Sequence, residues 1–126
     1  MKTVDCKISD SEWLIMKVLW ENSPLTAAKI IEQLNTKTDW SSKTIHTLIS
    51  RLVKKGALGV NKELSQYQFY PLIDKTDCVL EETKSFIQKF YDGSIQLMLS
   101  NFIKDEKISE AEIEELQRLL DEKKNK

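Results

Sequence analysis

The chain has 126 residues, 40% of them hydrophobic and 31% charged, with a formal net charge of −1. That length holds one modest core or two small modules, and that composition belongs to folded globular proteins rather than to disordered or fibrous ones. A charge so near zero excludes a chain that is basic along its whole length and clings indiscriminately to polyanions.

The N-terminus, "MKTVDCKISD", has no apolar stretch of the kind a signal peptide needs. The longest uncharged run, residues 93–103, is far short of the roughly 20 apolar residues of a membrane span. No membrane insertion is expected, and the cytoplasm is the expected location. Cys6 and Cys78 read as two lone thiols, neither a disulfide framework nor a metal cluster. His46, the one histidine, has no Cys or His at ligand spacing, so no metal and no other cofactor is expected.

A first helix is expected from "ISDSEW". Ser9 is an N-cap, Glu12 completes a capping box, and Ile8 with Trp13 can close a hydrophobic staple. Trp13, Met16, Leu19 and Trp20 mark its apolar face, and Pro24 ends the region. Thr26 can cap a second, shorter helix with Ala27, Ile30, Ile31 and Leu34 on one side. A third helix begins near Ser41 or Ser42. Ile45, Leu48, Ile49, Leu52 and Val53 give the spacing of a half-buried helix, and Gly56 stands where a left-handed C-terminal residue is expected. In "ALGVNKELSQYQFYPL" the period falls to two, as in a β-hairpin turning near residues 62–65, with Tyr67 and Phe69 on a core-facing side.

From Asp74 onward the pattern is helical again. Val79, Leu80, Phe86, Ile87, Phe90 and Tyr91 form one stripe, ended by Gly93. Ile95, Met98, Leu99, Phe102 and Ile103 form a second, with Leu97 on roughly the opposite side. In "ISEAEI" Ser109, Glu112, Ile108 and Ile113 repeat the capping box and staple, and Ile113, Leu116, Leu119 and Leu120 supply the last apolar edge. The expected fold is therefore mainly α with a small β-hairpin. Residues 1–73 are expected to form an N-terminal winged helix-turn-helix, and 74–126 a three-helix module. A module that small buries little surface, and a helix apolar on two sides needs two partners. A second copy of the chain is the expected partner, held by Phe90, Leu97, Phe102, Ile113, Leu116, Leu119 and Leu120.

The even net charge hides one basic segment. Between residues 40 and 73 Lys43, Arg51, Lys54, Lys55 and Lys62 face a single acid, Glu63. With Ile45, Leu48 and Leu52 turned inward, Lys43, Thr47, Ser50, Arg51 and Lys54 point outward, and Thr44 and His46 lie on the shoulders. A generic solvated face would mix Glu with Lys. Three helices and a hairpin, with cations and hydroxyls on the third helix, point to double-stranded DNA. In that fold the N-terminal residues of the third helix meet base edges, a job that cationic and hydroxyl side chains suit. Phosphates would be held by Ser42, Ser50, Arg51, Lys54 and Lys55, and by Lys62 and Ser65 on the wing, where Tyr67 could join them if it is not drawn into the core beside Phe69. An enzyme is not expected: no Gly-rich phosphate loop, no Ser/His/Asp set and no metal-ligand spacing is present. Two other functions suit the same pattern: a winged-helix module that binds protein, and a regulator answering to a small molecule held between the two modules.

"SDSEWLIMKVLW", "WSSKTIHTLISRLVKKGAL", "FYDGSIQLMLSNF" and "EIEELQRLL" resemble the BlaI/MecI family of penicillinase and methicillin-resistance repressors over nearly the whole chain. The resemblance implies a homodimeric transcriptional repressor bound to a pseudo-palindromic operator with TACA/TGTA-type half-sites. It implies base reading by Lys43, Thr44, His46 and Thr47. It also implies derepression by cleavage at Asn101–Phe102, triggered by a membrane-bound sensor metalloprotease acting in trans. Two positions depart from the family pattern. His46 replaces the more usual Arg or Gln, and Ser100 replaces a Leu before the cleaved pair.

Overall fold

In a computed structural model, which describes residues 6–105 and 108–125, the chain divides into two units, Met1–Glu82 and Thr83–Lys126. In the first unit helix α1 spans Asp10–Glu21. The Ser9 side chain accepts from the Glu12 N–H, and the Glu12 carboxylate accepts in turn from the Ser9 N–H at 2.9 Å, so two orphan donors of the helix start are satisfied reciprocally. Strand β1 is only Leu25–Thr26, and Thr26 then caps α2, Ala27–Leu34. Helix α3 spans Ser42–Lys55 behind its Ser41 cap and ends at Gly56, whose φ of 85° is the left-handed conformation that a side chain would strain.

Strands β2, Leu58–Asn61, and β3, Gln68–Pro71, form the expected hairpin. It is the larger part of a three-stranded antiparallel sheet of order β1-β3-β2, in which Leu25 pairs with Phe69 and Thr26 with Gln68. Strand β1 was not expected, because two residues are too few to show a period. It lashes the start of α2 to the base of the wing. The core beneath is built from Ile15, Met16 and Leu19 of α1, Ile30 and Leu34 of α2, Ile45, Leu48, Ile49 and Leu52 of α3, and Leu58 of β2. Burying such side chains contributes about 1.5–3 kcal/mol each. Phe69 packs against this core, but Tyr67 does not: it is 51% exposed, because the chain reaches β3 only at Gln68, and the residue before it still belongs to the wing tip.

Cys6 and Cys78 also depart from expectation. They are not lone thiols; they form a disulfide with Cα atoms 5.2 Å apart, inside the core of the first unit. The link spans 72 positions and ties the segment before α1 to the start of α4, Lys75–Tyr91. Trp20 secures the same junction, its indole N–H donating to the Ile73 carbonyl at 3.0 Å.

The division between the units falls inside α4. In the second unit α4 ends at Asp92 and Gly93, both with positive φ, and α5 follows at Ile95–Lys104 behind a Ser94 cap. Helix α6, Glu110–Lys124, carries the expected Ser109–Glu112 capping box. No residue of α5 or α6 is buried. Among the described residues, no helix is long and apolar enough to cross a membrane.

Candidate nucleic-acid interface

The site is built on α3. Ile45, Leu48, Ile49 and Leu52 sink into the core, and this fixes which residues remain outside. Ser42, Lys43, Thr44, His46, Thr47, Ser50, Arg51, Lys54 and Lys55 are all exposed. One open groove along the outer face is lined by Lys43, His46, Thr47, Ser50, Arg51 and Lys54, without an acid. Six of the side chains expected to meet DNA thus share one surface.

Two hydroxyls on this face are already engaged. The Thr47 hydroxyl donates to the Lys43 carbonyl one turn back, at 3.0 Å, and the Thr44 and Ser41 hydroxyls lie 3.1 Å apart. With its proton committed, Thr47 offers outward an acceptor lone pair and a methyl group. These match an exocyclic amino group and a thymine methyl on a base edge.

His46 lies where two depressions meet. Besides the groove on α3 it lines a second cleft with Thr26, Ala27 and Ala28 at the start of α2, and with Gln66, Tyr67 and Phe69 of the wing. The start of α2 and Gln66 are additions to the surface expected from sequence. The capping signal of Thr26 was visible, but its closeness to His46 depends on β1 pairing with β3. Lys62 and Ser65 are exposed on the β2–β3 connection, where the Glu63 N–H donates to the Asn61 side chain at 3.0 Å. The Lys62 ammonium is 5.8 Å from the centre of the Tyr67 ring.

Lys55 parts company with the other cations. Its ammonium donates to the Lys7 carbonyl at 3.0 Å and pairs with the Glu12 carboxylate. It lines a separate depression with Lys7, Ile8 and Ala57. Burial pushes the Glu12 carboxyl up, but the Lys55 hydrogen bond, the Ser9 N–H and the Lys55 charge together outweigh it and hold the group below its ordinary range.

The remaining expected residues lie in the second unit. Phe90, Leu97, Phe102, Ile113, Leu116, Leu119 and Leu120 are all exposed large hydrophobics, and Asn101 is exposed within α5.

The family described as penicillinase repressor matches residues 8–122. The chain is 39% identical to the penicillinase repressor of Bacillus licheniformis over 120 residues, 95% of this chain and 94% of that protein. It is also 39% identical to the methicillin resistance regulatory protein MecI of Staphylococcus aureus over 117 residues, 93% of this chain and 95% of that one. Among solved structures it resembles the DNA-binding domain of the repressor BlaI, with a TM-score of 0.53 and 42% identity over 61% of this chain and 93% of that one. The same figures hold for Bacillus licheniformis BlaI in its monomeric form in complex with the blaP half-operator. The chain therefore belongs to the penicillinase repressor family of DNA-binding transcriptional repressors.

Proposed function

We propose that this chain represses transcription as a homodimer, each protomer laying α3 in the major groove of one half-site of a pseudo-palindromic operator. The observation that carries the reading is the acid-free outer face of α3, with Lys43, Thr44, His46 and Thr47 at the end that meets base edges in a helix-turn-helix. Ser42, Ser50, Arg51 and Lys54 flank them and suit phosphates, as Lys62 and Ser65 do on the wing. The start of α2 lines one cleft with His46, and a helix N-terminus favours a phosphate there as well. Lys55 is left out of this set, since its ammonium is already held by Glu12 and Lys7. The relative solved on a half-operator as a monomer supports one winged helix per half-site.

Pairing is supported by the second unit. A helical unit that leaves Phe90, Leu97, Phe102, Leu116, Leu119 and Leu120 exposed in one copy presents more apolar surface than a monomer ordinarily tolerates. A second copy supplies an equally apolar face by symmetry. Two linked half-sites gain affinity through effective concentration, so loss of pairing releases the operator without any change in α3. A cut between Asn101 and Phe102, by a membrane-bound sensor metalloprotease acting in trans, would break α5 before its last turn and sever α6. A chain truncated after Asn101 tests this: it should sediment as a monomer and bind a full operator no better than a half-site. Dimerisation at full strength in that truncation rejects the reading. A module that binds only protein would show no duplex affinity beyond the nonspecific level and no steep fall with salt.

A further inference from the structure

We propose that Glu12 and Lys55 form a positioning pair that sets α3 for base reading, so that Lys55 acts on DNA through α1 and not by touching phosphate. The inference rests on α3 being the DNA-reading helix and adds residues to it that face away from DNA. Among the described residues Glu12 is the only buried polar or charged side chain, at 2% exposed. Its carboxylate closes the capping box of α1 and receives the Lys55 ammonium, which also donates to the Lys7 carbonyl at 3.0 Å. Three pieces of chain meet on one charge pair: the segment before α1, the first turn of α1 and the last turn of α3.

The hydrophobic contacts beneath α3 cannot do this job alone. Apolar burial is non-directional, and a ladder of Ile and Leu tolerates small rotations of the helix about its own axis. In this pair the carboxylate is buried while the ammonium is partly open to solvent, so the geometry is directional and loss of the ammonium leaves a buried carboxylate without its cation. At a side-chain radius of 5–6 Å a rotation of about 15° moves a reading group by about 1.5 Å, which is beyond the roughly 0.5 Å within which a recognition geometry must be held. Lys54, one residue earlier, projects into the outer groove, so the sequence neighbours Lys54 and Lys55 carry opposite duties.

The test uses the full chain, a duplex it selects from a random pool, and a scrambled duplex of the same length. Glu12→Gln, Lys55→Met and the double variant are compared with the parent for affinity, salt slope and melting temperature. Each single variant should lose about tenfold for the selected duplex, the scale of one base contact. Scrambled-duplex affinity and the salt slope should stay as in the parent, because no phosphate contact is removed. In the double variant no charge is left buried and unpaired, so its melting temperature should recover toward the parent while discrimination stays low. A pair that only stabilises the fold would restore both together, and that result overturns the proposal. So does a Lys55→Met variant whose salt slope flattens by about 0.9 with both duplexes weakened alike, the signature of a phosphate contact. Thr47→Ala serves as the control: discrimination lost there but kept in all three pair variants refutes the pair and leaves the DNA-reading role of α3 standing.

Discussion

At the scale of single residues, the proposed function divides the outer face of α3 between reading and holding. Thr47, with its proton given to the Lys43 carbonyl, presents an acceptor and a methyl group, and His46 stands between the groove of α3 and the cleft of the wing. Thr47→Ala and His46→Ala should therefore change which sequences are preferred. Lys54→Ala should weaken all duplexes alike and reduce the salt slope by about 0.9, the contribution of one phosphate. Sequence-by-affinity profiles of the three variants check this, and a changed preference in Lys54→Ala alone would reverse the placement. Glu12 adds a pH dependence. Its carboxyl is held low in the folded chain, so the stability it contributes is complete above the unfolded glutamate value of about 4.3 and is lost as pH falls through the lower folded value. Denaturation midpoints measured from pH 7 to pH 3 should fall more in the parent than in Glu12→Gln, and parallel curves would count against the pair. The exposed set on α3 was legible from spacing alone, because a helix with one buried face has its other face fixed by geometry. The engagement of Lys55 was not. Its partner Glu12 lies 43 positions away and already had a local duty as a capping residue that accounted for it.

At the scale of elements, caps and stops were the most legible features. Ser9, Thr26 and Ser109 cap the helices expected of them, and of the two serines at the start of α3 it is Ser41 that caps, since a cap is a contact among residues three apart. Gly56 closes α3 at a positive φ in open space, so Gly56→Ala meets no neighbour and its cost is purely conformational. It should lower stability by about 1 kcal/mol, read as a shift in the denaturation midpoint. Strand β1 and the Cys6–Cys78 link were illegible for a common reason: two residues carry no period, and two cysteines 72 positions apart carry no spacing signal. Closing a loop of that length stabilises a chain by about 4 kcal/mol in the loop-entropy account. Dithiothreitol should accordingly lower the melting temperature of the winged-helix unit clearly. Two free thiols titrating in the untreated, folded protein would show that the bond is not held in solution.

At the scale of the whole molecule, the proposed function gives one unit to DNA and the other to pairing. The first has a closed core of residues from every one of its helices. The second, taken as a single copy, has exposed Phe, Leu and Ile side chains along all three of its helices and no buried residue on α5 or α6. That contrast was partly legible, because Leu97 opposite the Ile95–Phe102 stripe already implied a helix with two partners. Phe102 illustrates what was not. Its stripe position suggests an interior residue, yet it is 44% exposed in one copy, which suits a face awaiting a second chain. Leu97→Glu should therefore shift the full chain toward monomer in sedimentation and cost affinity on a two-half-site duplex while leaving half-site affinity unchanged.

The most direct test is to recover the duplexes that the full chain selects from a random pool and to repeat the selection with Thr47→Ala. Two recurring half-sites related by a dyad, with the base preference within each half-site altered by the substitution, is the predicted result. No enriched sequence, or an enriched sequence indifferent to Thr47 and to its neighbours on α3, would contradict it.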